Sequence, residues 1–226
     1  MVARPRLTLV IDRMTLDDLP AVEEIERQSF TTPWPPNAYR SELENNRLAH
    51  YIVARFDDQV VGFAGLWMMV DEAHITTFAV RHGWRRQGIG ERLLLALLDV
   101  ARSRHAQDAT LEVRPSNFPA RRLYEKYGFG LAGIRPRYYS DDNEDALIMT
   151  TPSLDGREMR ERIARLRSEV EKRPLIDLGD DGLPIGRLED EGSASGEHAA
   201  GAGPEGQPGG GRAPGQYGPG QPRRPE

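Results

Sequence analysis

The chain has 226 residues, a formal net charge of -5 and no cysteine, and 38% of its residues are hydrophobic. This composition fits one globular domain with additional segments, and it excludes disulfides, thiolate metal sites and a thiol nucleophile. Because the net charge is negative, and because the sequence has neither a signal peptide nor an apolar run of about 18 residues, we expect a cytoplasmic protein without direct nucleic-acid binding or a membrane span.

The first part of the chain predicts a strand, a helix and an aromatic loop. An apolar run at residues 7–11 predicts the strand. Thr15 with Asp18 three residues later forms a capping box, which predicts that a helix begins there. Residues 31–36 (TTPWPP) must end this helix, because proline lacks an N–H group and clashes in a helix interior. Trp34 in this loop is expected either to pack on the core or to form a wall of a substrate groove.

Further strands and helices follow up to residue 103. The pattern predicts a short helix at residues 37–43 and a hairpin of two strands at residues 50–56 and 60–70. β-Branched and aromatic residues at 75–80 predict the next strand. Leucines at positions 93, 94, 97 and 98 share one face and predict the helix that follows it.

The last part of the domain predicts a strand at residues 109–113 and a helix at 119–127, which Gly128 stops. A final hairpin is predicted from strands at 132–138 and 146–150. Strands and helices in this order imply an α/β fold, in which helices cover both sides of one mixed (α+β) sheet.

The domain is expected to span residues 1–152, and the character of the sequence changes after it. Residues 153–173 predict an amphipathic C-terminal helix. Its apolar face consists of four residues: Met159, Ile163, Leu166 and Val170. Docking of this face on its own domain is favoured over binding of a partner helix. Residues 174–226 are rich in glycine, proline and acidic residues, and we expect a disordered tail because such a composition buries too little apolar surface to offset the ordering entropy.

A glycine-rich turn separates the strand at 75–80 from the leucine-rich helix. Residues 85–91 read RRQGIGE and contain the form R-x-x-G-x-G. Glycines let a ligand approach the backbone closely, and amide groups at a helix start attract phosphate. A tight turn without a ligand is equally compatible with a glycine pair. The dinucleotide fingerprint is excluded, since Leu93 stands at its third glycine, and the P-loop ending is absent.

The form R-x-x-G-x-G resembles the diphosphate loop of the GNAT acetyltransferases, which holds acetyl-CoA in that family. Three further motifs resemble the bacterial RimI family: L-E-V-R-x-S-N at residues 111–117, L-Y-E-x-x-G-F at 123–129, and a Y-Y pair before D-A-x-x-M. Members of that family acetylate the N-terminal alanine of small-subunit ribosomal protein S-eighteen. The resemblance covers residues 8–152 and implies the GNAT acyl-CoA N-acyltransferase fold, with acetyl-CoA as acetyl donor.

The same resemblance implies that Glu112 is a general base and Tyr124 a general acid. A glutamate inside an apolar strand is costly unless it is paired or functional, because burial disfavours its charge. Its alternative is an ion pair with Arg114 or with a neighbouring chain. The alternative for Tyr124 is an ordinary half-buried tyrosine.

The resemblance also implies the residues that hold the coenzyme and the peptide. The coenzyme is expected on Phe78, Ala79, Val80, Arg85, Arg86, Gln87, Gly88, Ile89, Gly90, Glu91 and Asn117. Asn117 is suited equally to cap the following helix. Trp34, Tyr138 and Tyr139 would flank a peptide groove, with core packing as the competing interpretation. The five histidines show no metal-binding spacing, so we expect no metal.

Together with the resemblance, these residues imply direct acetyl transfer in a ternary complex to a protein N-terminus. Two alternatives stay open at this point. One is an acetyltransferase for small-molecule amines or lysine side chains, and the other is a catalytically silent acyl-CoA sensor. Intact Glu112 and Tyr124 argue against the sensor.

Overall fold

Seven strands form one mixed sheet in the order β1-β2-β3-β4-β5-β7-β6 in the computed structural model, which describes residues 9–173. The strands are β1 (Leu9–Arg13), β2 (Ala49–Phe56), β3 (Gln59–Met69), β4 (Glu72–Val80), β5 (Asp108–Val113), β6 (Gly130–Arg135) and β7 (Ala146–Thr150). The pair β4/β5 is parallel and the other five neighbouring pairs are antiparallel. The predicted mixed sheet is confirmed. The expected tail at 174–226, and the first two residues of the strand expected at 7–11, lie outside the described residues.

Helices cover both faces of the sheet. They are α1 (Leu19–Ser29), α2 (Ala38–Asn45), α3 (Ile89–Ser103), α4 (Phe118–Lys126) and α5 (Arg157–Glu171). One apolar cluster joins α1 and α2 to the sheet, and a second, larger cluster joins α3, α4 and α5 to the opposite face. Two separate cores are therefore formed, and the sheet divides them. No helix within residues 9–173 is long and apolar enough to cross a membrane.

The capping box forms as predicted. The backbone N–H and the hydroxyl of Thr15 both donate to the Asp18 carboxylate, at 2.8 and 2.9 Å. The helix that follows the capping box begins with a 3-10 turn, Leu16–Asp18, and α1 continues from Leu19. The helix ends at Ser29, just before the proline-containing loop, as the missing proline N–H groups require.

The expected end of the strand at 132–138 is wrong. β6 ends at Arg135, because Arg137 adopts a left-handed backbone conformation (φ 51°) that breaks the extended chain. Tyr138 and Tyr139 therefore lie in the loop between β6 and β7 and not on the strand.

Strands β4 and β5 pair over only part of their length. Their ladder covers Glu72–Ile75 opposite Asp108–Leu111, although β4 continues to Val80. The register against β3 also shifts here, since Leu66 faces Ile75 and Gly65 faces Thr77. Such a bulge bends its strand. A wedge therefore opens between the second halves of β4 and β5, with α3 and α4 beside it.

The helix after the domain docks on the domain itself. Its four predicted apolar residues, Met159, Ile163, Leu166 and Val170, are all buried. They belong to the same core cluster as the leucines of α3. An ion pair between Arg167 and Asp99 of α3, at 2.7 Å, crosses this interface. The docking interpretation of the amphipathic pattern is thus confirmed.

Candidate active site

The glycine-rich turn forms the N-terminal end of α3, at the mouth of the wedge. Arg86 and Gly88 both have left-handed backbones, with φ of 62° and 77°, and Gly88 caps α3. The first helical bond of α3 runs from the Arg92 N–H to the Gly88 carbonyl, at 3.2 Å. By helix geometry, the amides before residue 92 have no acceptor inside α3. Together with the helix dipole, they make this end of α3 suitable for an anion.

Two side chains of this turn hold it in place. Arg85 Nε donates to the Val80 carbonyl at 3.0 Å, and its Nη2 donates to the Ser29 hydroxyl at 3.3 Å. Gln87 Nε2 donates to the Gly83 carbonyl at 3.3 Å. The turn is thus fixed to β4 and α1 before any ligand binds. Its expected contacts with a coenzyme stay a prediction, and at Gln87 the backbone is the group best suited to make them.

The two glycines of the turn differ in what requires them. Gly88 has a positive φ, which strains other residues, so the backbone itself favours glycine there; a Cβ added to it would lie 2.9 Å from Arg92 Nη1, the movable end of a flexible side chain. A Cβ on Gly90 would meet only Leu123 and the Phe78 ring, at ordinary contact distances of 3.7 Å. Packing does not require glycine at position 90, which is consistent with close approach of a ligand to the backbone.

Glu112 lies on β5 beside the wedge and is 1% exposed. Its Oε2 is 2.9 Å from His74 Nε2, and its Oε1 is 3.2 Å from Arg135 Nη2. The Arg135 guanidinium offsets the charge of the buried carboxylate, and the His74 ring lies against its other oxygen. Neither contact has hydrogen-bond alignment, and both oxygens lack a hydrogen-bond partner within residues 9–173. The carboxylate is therefore charge-compensated but still able to accept hydrogen bonds, as a base requires.

Arg114 is not the partner of Glu112, so the expected alternative of an ion pair between these two residues is wrong, although Glu112 is paired with Arg135 instead. Arg114 instead binds three carboxylates of the β6–β7 loop: Asp141 at 2.6 Å, Asp142 at 2.9 Å and Glu144 at 3.1 Å. Although partial burial opposes ionisation, hydrogen bonds from Arg114 and Thr31 lower the pKa of Asp141 to about 2. This network fixes the loop to the end of β5.

The network also brings together the residues expected to flank a peptide. The Arg114 guanidinium lies 3.7 Å from the centre of the Tyr139 ring, which contacts the Tyr138 ring edge-on. Thr31 donates to Asp141, which ties the loop containing Trp34 to the β6–β7 loop. The two loops therefore meet on the face of the sheet that carries Glu112. Trp34 and Tyr139 are themselves buried, so core packing describes much of their surface.

Tyr124 on α4 lies on the other side of the wedge and is 1% exposed, so it is not a half-buried tyrosine. Its ring packs edge-on against Phe78 of β4, with centroids 6.2 Å apart, and contacts Phe129. Burial, followed by the nearby Tyr139, raises the pKa of Tyr124 well above its ordinary value. Its phenol therefore keeps its proton at neutral pH. Asn117 caps α4 as predicted, since its side-chain oxygen accepts from the Ala120 N–H at 3.2 Å.

A buried carboxyl group that the sequence analysis missed supports the Trp34 loop. Glu26 on α1 is 3% exposed. It accepts from the Tyr39 hydroxyl at 2.6 Å and from the Trp34 N–H at 3.1 Å, and Trp34 stacks on Tyr39. The position of Glu26 directly after the apolar residue Ile25 was the one feature of the sequence that could have indicated a buried carboxyl group. No comparable local signal marked His74 or Arg135, whose contacts are long-range.

Glu26 is expected to make stability depend on pH. Burial raises its pKa from 4.5 to about 7, against the opposing effect of its hydrogen bonds. The folded chain thus holds this proton more tightly than the unfolded chain, and the resulting stabilisation is lost as the pH rises from 4.5 through about 7. At about 1.36 kcal/mol per pKa unit, the whole loss is roughly 3 to 4 kcal/mol, of which roughly 2 to 3 kcal/mol falls between about pH 5 and about pH 8.

Urea unfolding at about pH 5 and about pH 8 measures this loss. The free energy of unfolding of the wild type should fall between these values relative to Glu26→Gln, which has no proton to lose. Glu23→Gln, at an exposed site on α1, serves as the control and should behave like the wild type. Parallel pH profiles for wild type and Glu26→Gln would contradict the assignment.

No group of three or more metal-binding side chains is placed to hold an ion in the part of the chain that the structure describes. The geometry thus offers an anion site at α3, a buried carboxylate at Glu112 and a protonated phenol at Tyr124, arranged around one wedge.

Comparison with known proteins finds acetyltransferases that match most of the described part of this chain. A model of the acetyltransferase (GNAT) family matches residues 19–129. A Bacillus subtilis protein that provisionally carries the name ribosomal protein bS18-alanine N-acetyltransferase is 42% identical over 139 residues, or 62% of this chain and 92% of the relative. The crystal structure of the Escherichia coli enzyme of that name covers 66% of this chain and 97% of its own, with 34% identity and a TM-score of 0.60.

A further crystal structure shows the fold with a ligand. A GNAT family acetyltransferase from Elizabethkingia anophelis, with acetyl-CoA bound, is 18% identical and has a TM-score of 0.55. It covers 64% of this chain and 97% of its own. At this identity the similarity concerns the fold alone.

Proposed function

Since the chain belongs to the GNAT family of acetyltransferases, we propose that it transfers the acetyl group of acetyl-CoA to the N-terminal alanine of ribosomal protein bS18. The relatives named for that reaction support the substrate. A ribosomal substrate also supports a cytoplasmic location. The observation that carries the proposal is Glu112, a buried carboxylate that is charge-compensated by Arg135 and has unused hydrogen-bond capacity beside the wedge.

The coenzyme site of this proposal consists of the wedge and the α3 turn. The backbone at the start of α3 would bind the diphosphate, because its amides and the helix dipole both favour negative charge. The β4 edge from residue 76 onward leaves its ladder with β5, so its backbone groups would bind the acetyl and pantetheine part. Phe78 would position Tyr124 beside the sulfur through ring contact.

Acetyl transfer proceeds by direct attack in this proposal, without an acyl-enzyme. The sequence contains no cysteine that could form a thioester. Glu112 accepts a proton from the substrate α-ammonium, directly or through one water, and the freed amine attacks the thioester carbonyl. Tyr124 Oη then donates its proton to the departing sulfur, and the extra proton on the nitrogen of the adduct passes to the Tyr124 phenolate, directly or through water, so a neutral N-acetyl amide and coenzyme A leave. The loops that contain Trp34 and Tyr138–Tyr139 would flank the peptide.

Proton energetics favour an α-amine over lysine as the acceptor. An α-amine with a pKa near 7.7 to 8.0 is roughly a tenth neutral at pH 7, whereas lysine, near 10.4, is neutral in about four molecules of ten thousand. At about 1.36 kcal/mol per pKa unit, lysine deprotonation costs roughly 3.5 kcal/mol more. The greater nucleophilicity of lysine offsets part of this difference. One glutamate as base therefore suits the α-amine.

Two peptides test the proposal by mass spectrometry of their products. The first has the N-terminal sequence of bS18 with a free alanine, and the second has a blocked N-terminus and an internal lysine. We expect the free alanine to react at least about tenfold faster, since part of its roughly 250-fold advantage in neutral amine remains. Equal rates would support lysine acetylation instead. Coenzyme binding without any product would support an acyl-CoA sensor.

A further inference from the structure

The C-terminal end of α5 lies against the start of α3, at the turn proposed for the coenzyme. Arg92 Nη2 donates to the Val170 carbonyl at 2.8 Å and contacts the Arg173 carbonyl at 3.4 Å. Arg173 forms an ion pair with Glu91 in the first turn of α3. The helix that follows the catalytic domain thus ends on the anion-binding turn, although the matched family model stops at residue 129.

The Arg173 guanidinium lies close to the backbone of this turn. A Cβ placed on Gly88, the residue that caps α3, would be 3.7 Å from Arg173 Nη1. The Arg173 side chain is 43% exposed, so solvent and a dissolved ligand can reach it beside the same turn. An anion bound to the first amides of α3 would be within reach of this guanidinium.

The charges around the turn favour such an anion. Glu91 is shared between Arg173 and Lys126, whose Nζ lies 2.6 Å from Oε1. With Arg92 at the next position, three cations surround one carboxylate. Arginine binds phosphate through two parallel hydrogen bonds. Because a guanidinium has five N–H donors, Arg173 can bind a phosphate and still keep its ion pair with Glu91. Docking of α5 alone would need only an ion pair such as that of Arg167, which lies farther from the turn.

We propose that Arg173 binds a phosphate group of coenzyme A, so that the helix after the domain completes the coenzyme site. This inference rests on the proposed function for the presence of the coenzyme. Coenzyme A carries phosphate in two places, the diphosphate and the 3′-phosphate on the ribose. Either group presents the oxygens that a guanidinium recognises.

Calorimetric titration of the full chain with coenzyme A and with 3′-dephospho-coenzyme A tests the proposal. Arg173→Gln should raise the Kd for coenzyme A by about 5- to 20-fold, the size expected for one charge-assisted contact. An equal loss with both ligands assigns Arg173 to the diphosphate. A loss with coenzyme A alone assigns it to the 3′-phosphate.

Arg167→Gln is the matched control, because it removes an α5 ion pair with α3 at Asp99 but not at the turn. It should leave both Kd values at the wild-type level, and thermal unfolding of both variants reports any loss of docking. Wild-type affinity in Arg173→Gln, or an equal loss in Arg167→Gln, would overturn the proposal. Failure of the wild type to bind coenzyme A would instead refute the proposed function.

Discussion

Glu112→Gln is expected to lower kcat by roughly 100-fold or more, the usual contribution of a general base. The substitution keeps the size of the side chain and one acceptor oxygen but removes the negative charge and the ability to take a proton. Because Glu112 belongs to the peptide side of the wedge and not to the α3 turn, the affinity for acetyl-CoA should change little. Initial rates with the alanine peptide, together with calorimetry for the coenzyme, measure both quantities.

The control for Glu112 is a second carboxylate that contacts the same histidine. Glu72 Oε1 lies 4.0 Å from His74 Nδ1, and its side chain is half-exposed. Glu72→Gln therefore removes a nearby charge without touching the proposed base, and it should retain most of the turnover. A comparable fall in both variants would indicate a general effect of charge around His74. Near-normal turnover in Glu112→Gln would remove Glu112 from the mechanism.

Tyr124→Phe is expected to lower kcat by a similar factor, roughly 100-fold, through loss of the proton donor. Only the hydroxyl is removed, so the ring contacts with Phe78 and Phe129 that hold α4 against β4 are kept. Since burial raises the pKa of this phenol, the proton is present throughout the neutral range. The kcat of the variant should therefore be low across that range, as initial rates at several pH values would show.

Tyr127 provides a matched comparison from the end of the same helix. It is fully buried, and its hydroxyl lacks a hydrogen-bond partner within residues 9–173. Tyr127→Phe thus makes the same chemical change in the same core without reaching the proposed sulfur position. It should leave kcat near the wild-type value, because no proton donor to the sulfur is lost. A large effect in Tyr127→Phe but not in Tyr124→Phe would show that Tyr124 is not the general acid.

The elements of the fold followed from the sequence because their causes are local. Helix α5 is an example, since the spacing of Met159, Ile163, Leu166 and Val170 alone defined its buried face. The start of α1 at the capping box and the glycine turn before α3 depend on hydrogen bonds or backbone conformations within a few residues. The predicted end of β6 is wrong, because Arg137 has a left-handed backbone conformation and arginine is not a residue type that favours one.

The sequence by itself determined the identity of the chemical groups, namely the R-x-x-G-x-G turn, Glu112 and Tyr124, because a short motif fixes which side chains are present. Only the tertiary structure decided their partners. Parallel pairing of β4 with β5 places His74 beside Glu112. Arg114, which the sequence analysis considered as a partner of Glu112, forms its ion pairs with the β6–β7 loop instead. Arg173 reaches the α3 turn only because α5 packs back along α3. Contacts between residues 27 to 82 positions apart depend on strand order and helix docking, which no local pattern encodes.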